Sequence, residues 1–88
     1  GLVNEIVPAE QLMSRARELA QQLAAGPPLV FAAIKEIIRE TTHLSIEQAF
    51  EQVTRRHLPT VDRLYSSEDQ KEGARAFAEK RKPVWQGR

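Results

Sequence analysis

SSEDQKEGARAFAEKRKPVWQGR, residues 66–88, holds one helix together with its start and stop signals, and it sets the reading of the whole chain as helical. Ser66 or Ser67 supplies the N-cap, because a serine hydroxyl accepts from the otherwise unpaired N–H groups of a first turn. Glu68 and Asp69 follow where the positive end of the helix dipole favours carboxylates. Lys80, Arg81 and Lys82 stand where its negative end favours cations, and Pro83 stops the run. The signals predict a helix over about 68–81. Ala74, Phe77 and Ala78 share one face, and on composition Phe77 reads as a core residue. Gly73 in mid-helix costs about 1 kcal/mol relative to alanine. Either a backbone or a bulky group approaches it closely, or the cost is simply tolerated. Val84 and Trp85 are too apolar for a free tail and are expected to dock.

Moving toward the N-terminus, Phe50, Val53, His57, Val61 and Leu64 recur at helical spacing, and Ser45 with Gln48 forms a capping box. Pro59 interrupts this series, so the expectation is a kinked helix, or two helices in line, over about 46–65. Pro27 and Pro28 open a further helix over about 28–41, since proline is tolerated in a first turn. Its apolar face is Val30, Ile34, Ile37 and Ile38, and its first half is apolar nearly all round. A first helix covers about 9–25, with Leu12, Ala16, Leu19 and Leu23 in one stripe and Gly26 as its C-terminal cap. GLVNEIVP, residues 1–8, has strand character but no partner strand elsewhere in the chain. It is expected to be solvated coil or, as preferred here, a strand or linker whose sheet lies in another part of a longer protein.

The fold class read from these patterns is all-α, with four to five helices. The chain has 88 residues, 13 basic against 12 acidic side chains and a net charge of +1. That balance argues against a general nucleic-acid surface. There is no cysteine, so disulfides and thiolate–metal sites are excluded. No apolar run reaches the roughly 20 residues of a membrane span. A cytoplasmic location is expected by default. His43 and His57 lack metal-ligand spacing, so no metal site is expected; His43 reads as a loop residue and His57 as a half-buried interface histidine. Glu68 and Asp69 point about 100° apart on a helix and do not converge as an acid–base pair. No nucleophile triad or phosphate loop is present, and no residue is assigned as catalytic. The cluster of Lys80, Arg81 and Lys82, with Arg75 one turn earlier, has two readings. Helix physics favours a solvated helix end; a phosphate contact is the alternative.

The chain resembles the C-terminal helical region of the enoyl-CoA hydratase/isomerase (crotonase) superfamily over most of its length. GLVNEIVPAEQL looks like the family's exit from its core domain, and ARELAQQLAAGPPLVFAAIKEII like the helix pair that follows. The ending carries Ser67, Glu68, Asp69, Glu72, Gly73, Ala76, Phe77, Glu79, Lys80, Arg81, Pro83, Trp85 and Gly87 at the family's spacing. TTHLSIEQAF is similar to carnitinyl-CoA dehydratase-like members. The resemblance implies that residues 1–8 leave a spiral core domain and that 9–88 form a helical trimerisation domain. It implies a part of a larger lyase or isomerase acting on acyl-CoA, with the CoA thioester as substrate and no separate cofactor. It implies a homo-oligomer, a trimer or dimer of trimers, while the charge balance and the lack of a long apolar run leave neither nucleic acid nor membrane as an expected partner. Phe77 and Lys80 would border the CoA site, Lys80 meeting a phosphate, while Val61 and Leu64 would border the acyl pocket. By itself the 88-residue chain would then be inactive, and its apolar stripes would drive self-association. The competing reading is an independent helical protein-interaction module, monomeric and indifferent to acyl-CoA.

Overall fold

The computed structural model describes residues 1–88 and is helical throughout, with no strand. A 3-10 turn, Ala9–Gln11, leads into α1 (Leu12–Ala24), followed by α2 (Pro28–Thr41), α3 (Ile46–Thr54), α4 (Pro59–Tyr65) and α5 (Glu68–Ala78). The predicted all-α class is therefore what forms. Residues 1–8 are irregular, and Glu5 returns along α1 to accept from the Arg15 guanidinium at 2.9 Å.

The core is small and lies between α2 and α4. Ala33, Leu58 and Val61 are buried, with Ile37, Val53 and Leu64 packed around them. A polar contact joins the same two helices. Leu58, the N-cap residue of α4, has no side-chain oxygen to offer the first turn. Glu36 of α2 supplies one, accepting from the Thr60 N–H at 2.8 Å and its hydroxyl at 2.5 Å. Thr60 donation holds the Glu36 carboxyl below its ordinary value. The Ser45–Gln48 capping box of α3 is closed in both directions.

Several expectations need correction. The stripe read across Pro59 is broken: α3 stops at Thr54 and α4 begins at Pro59, so the segment is two helices. Arg56, at φ 55°, turns the chain between them, with His57 N–H donating to Gln52 C=O and Arg56 N–H to Val53 C=O. That pair of bonds is a Schellman ending, with arginine in the left-handed position usual for glycine. His57 leaves the helical phase there and is exposed, and Leu58 takes the buried place instead. On α2 the buried residues are Leu29 and Ala33, with Ile37 of the predicted face half-buried beside them, while Ile34 and Ile38 of that face are exposed. Gly26 is not a left-handed cap. A Cβ there would stand 2.5 Å from the Phe31 ring, so the glycine makes room for that side chain.

α1 is the exception to the packing. None of its residues is buried, and Leu12, Met13, Leu19 and Leu23 are all exposed. The radius of gyration is 16.4 Å, against about 12 Å for a compact chain of this length. No helix is long and apolar enough to cross a membrane.

Candidate functional site

α5 and the residues after it form the most elaborated polar region of the chain. Ser67 caps α5, accepting from the Gln70 N–H at 3.0 Å. Beyond Ala78 the chain closes a second Schellman ending: Arg81 N–H donates to Ala76 C=O and Lys80 N–H to Phe77 C=O. Lys80 holds the left-handed position at φ 54°. The helix is thus shorter than the predicted 68–81, and only Arg75 remains as a cation in its last turn.

The segment after this turn folds back along α5 and is held by two carboxylates one turn apart. Asp69, 3% exposed, accepts from the N–H groups of Gln86 and Gly87 at 2.8 Å each, and its own N–H donates to the Arg88 main-chain oxygen at 2.9 Å. Glu72 accepts from Val84 N–H at 3.0 Å and from Arg81 at 2.6 and 3.0 Å in a two-point ion pair. The Arg81 bond, then the Val84 bond, holds the Glu72 carboxyl well below its ordinary value, at about 2. Glu79 takes the remaining face of Arg81 at 2.6 Å, and the two carboxylates raise the arginine's pKa. No buried side-chain polar atom in the chain lacks a partner.

Trp85 docks as expected, and on Gly73. A Cβ at residue 73 would lie 3.3 Å from the indole, so close approach of a bulky group is the realised alternative for that glycine. Beside the indole runs an apolar groove of about 310 Å³ whose walls include Leu29, Val30, Leu64, Tyr65 and Ala74.

The four residues named for substrate contact fall in different surroundings. Leu64 lines the groove. Val61, 2% exposed, is enclosed in the core and packs there. Phe77 is 88% exposed, which corrects its reading as a core residue. Lys80 is exposed and makes no ion pair, as does Lys82. The cation cluster is therefore divided: Arg81 is committed to two carboxylates, and the two lysines beside it are free. No group of acidic or histidine side chains could hold a metal ion.

Sequence reasoning missed the role of Asp69, which it placed in the helix start as dipole compensation. The signal was present as D-x-x-E at 69 and 72, two carboxylates on one helix face, followed after Pro83 by a short run of unpaired N–H groups. The Glu36 cap of α4 was also missed, because residues 24 positions apart meet only through packing.

Residues 1–88 match the family described as enoyl-CoA hydratase/isomerase. The chain is 48% identical to a carnitinyl-CoA dehydratase of Escherichia coli (strain SMS-3-5 / SECEC) over 88 residues, which is all of this chain and 34% of that protein. It is 49% identical to a carnitinyl-CoA dehydratase of Proteus mirabilis, over the same shares. Among solved structures, an enoyl-CoA hydratase subunit from Geobacillus kaustophilus HTA426 superposes with a TM-score of 0.85 at 39% identity, covering 100% of this chain and 33% of that one. An enoyl-CoA hydratase from Mycobacterium marinum does so with a TM-score of 0.81 at 38% identity, covering 100% and 34%. The chain spans about a third of the length of these relatives. A match over every residue, in sequence and in backbone, shows that the chain belongs to the enoyl-CoA hydratase/isomerase family.

Proposed function

We propose that the 88 residues are the C-terminal helical part of an acyl-CoA-processing enzyme of the hydratase, dehydratase or isomerase type, working in the cytoplasm. The observation that carries this reading is that the whole chain matches such enzymes while spanning only a third of them. In this reading residues 1–8 connect to a core domain that holds the chemistry, and residues 9–88 form the helical domain. The helical part contributes oligomerisation and one wall of the CoA and acyl site, with no catalytic residue of its own. The bare apolar face of α1 supports the first role, because Leu12, Leu19 and Leu23 need a surface to cover them. A homotrimer, or a dimer of trimers, supplies it.

Phe77 and Lys80 support the second role. Both are exposed at the end of α5, an aromatic ring beside an unpaired ammonium, a combination suited to a nucleotide-like CoA head group. Leu64 faces a groove apolar enough for part of an acyl chain, with Val61 packed behind it in the core.

The test is a chimera. The matching third of the Escherichia coli carnitinyl-CoA dehydratase is replaced by these 88 residues, and turnover of CoA thioesters is measured. The chimera is expected to be active, Lys80→Ala within it to raise KM about tenfold, as loss of one charge-assisted contact does, and the 88-residue chain alone to be inactive. A folded chimera without turnover, or turnover by the chain alone, would overturn the reading.

A further inference from the structure

The attachment of residues 82–88 runs almost wholly through side chains. The segment has no helix or strand of its own. A single main-chain hydrogen bond, from Asp69 N–H to the Arg88 oxygen, ties it to the rest of the backbone. Every other polar tie runs through a side chain: Asp69 to Gln86 and Gly87, Glu72 to Val84, and Arg63 to the Gly87 oxygen at 3.2 Å. Trp85 docks on Gly73, where a Cβ would stand 3.3 Å from the indole and press it outward.

The ties are also unevenly placed. At its near end the chain is fixed up to Arg81 by the Schellman turn and the Glu72 ion pair. At its far end Asp69 alone makes three of the bonds, giving one and receiving two. A segment fixed at one end by Arg81, and held beyond it chiefly by Asp69 with single further bonds from Glu72 to Val84 and Arg63 to Gly87, loosens when the Asp69 clasp fails, and segments with few buried apolar contacts open at lower free energy than the core.

We propose that residues 82–88 form a detachable strap, hinged after Arg81 and latched by the Asp69 carboxylate, whose release lifts Trp85 from Gly73 and opens the apolar groove along α2, α4 and α5. The latch needs both carboxylate oxygens as acceptors. Asparagine fills the same space but turns an N–H₂ toward one of the two N–H groups, so one bond is lost and two donors are set against each other. The groove beside the strap shares Trp85 and Asp69 as wall residues. Opening the strap therefore removes one wall of the groove.

The chain carries a single tryptophan, so its emission reports on the strap alone. Asp69→Asn is expected to shift Trp85 emission toward that of water-exposed indole. It is expected to speed exchange of the Val84, Gln86 and Gly87 amides together by about ten- to a hundredfold, as loss of a charged hydrogen bond implies. The helical circular dichroism is expected to stay, and Glu10→Gln, exposed and without a side-chain partner, to change neither readout. Unchanged emission and exchange in Asp69→Asn would overturn the proposal. If Asp69→Asn instead loses its helical signal, amide exchange of the unaltered chain decides. Strap amides exchanging together and faster than those of Val61 and Ala76 support the strap; strap and core amides exchanging at one common rate would overturn it.

Discussion

Residues 1–25 and residues 28–88 obey the same helix rules and end in opposite states. α1 has a clean apolar stripe and buries nothing, whereas α4, only seven residues long and with a proline at its start, holds the largest fully buried side chain, Val61. The difference lies in partners. α4 meets α2 through Leu58, Val61 and Ala33 and is tied to it again by Glu36 on Thr60, while α1 has only the irregular residues before it, joined by Glu5 to Arg15. An amphipathic stripe thus specifies a helix and the face it would bury, but the burial itself has to come from another surface. The body of the chain contains that surface; the arm does not.

Substitutions at matched apolar positions sharpen this contrast, beginning in the body. Val61→Ala removes two methyl groups from an enclosed site and is expected to cost about 2–3 kcal/mol in urea unfolding followed by circular dichroism. A cost below about 0.5 kcal/mol would mean that the α2–α4 contact is not the centre of stability.

Next in size is a gain. Lys80 and Arg56 occupy left-handed positions that glycine adopts without a Cβ clash. Lys80→Gly and Arg56→Gly are each expected to stabilise the body by up to about 1 kcal/mol in the same measurement. In the chimera, Lys80→Gly would also lose the proposed phosphate contact, so stability and KM should rise together at that position.

Acid acts on the tail. Glu72 titrates at about 2 in the folded chain, against an ordinary 4.5. A depressed folded value stabilises the protein fully above the unfolded value, and that contribution is lost as pH falls through the folded one. The NMR signal of the Val84 amide, bonded directly to Glu72, is therefore expected to be constant from neutral pH to about 4.5 and to shift only as the pH approaches 2. A shift centred near neutral pH would contradict the Arg81–Glu72 tie.

The smallest effect belongs to the arm. Leu19→Ala alters a side chain 43% exposed and is expected to change the stability of the monomeric chain by less than about 0.5 kcal/mol. In the proposed homo-oligomer the same change is expected to cost several times more, because the proposal places the stripe against a neighbouring subunit.

The same contrast explains what could be read from the sequence. Local signals were reliable: Pro28 at a helix start, the Ser45 capping box and the Ser67 cap stand where the sequence places them, because each depends on neighbours within four residues. Faces were less legible. Ile34 and Ile38 fit a helical stripe, yet Leu29 and Ala33 are buried, since small Ala33 admits α4 closely. Phe77 looked like core and is exposed, because periodicity assigns a face without saying whether anything covers it. The Asp69 latch joins α5 to residues 17–18 positions on, and the acidic start of a helix has a sufficient local explanation that conceals such a tie.

Amide hydrogen exchange on the monomeric 88-residue chain tests the division into body and arm most directly. The amides of α2 and α4 are expected to be the best protected, and those of Leu12–Ala24 to exchange close to the rates of a fraying helix. Equal protection of α1 and α2 in the monomer would contradict the account, since no residue of α1 is buried within the chain.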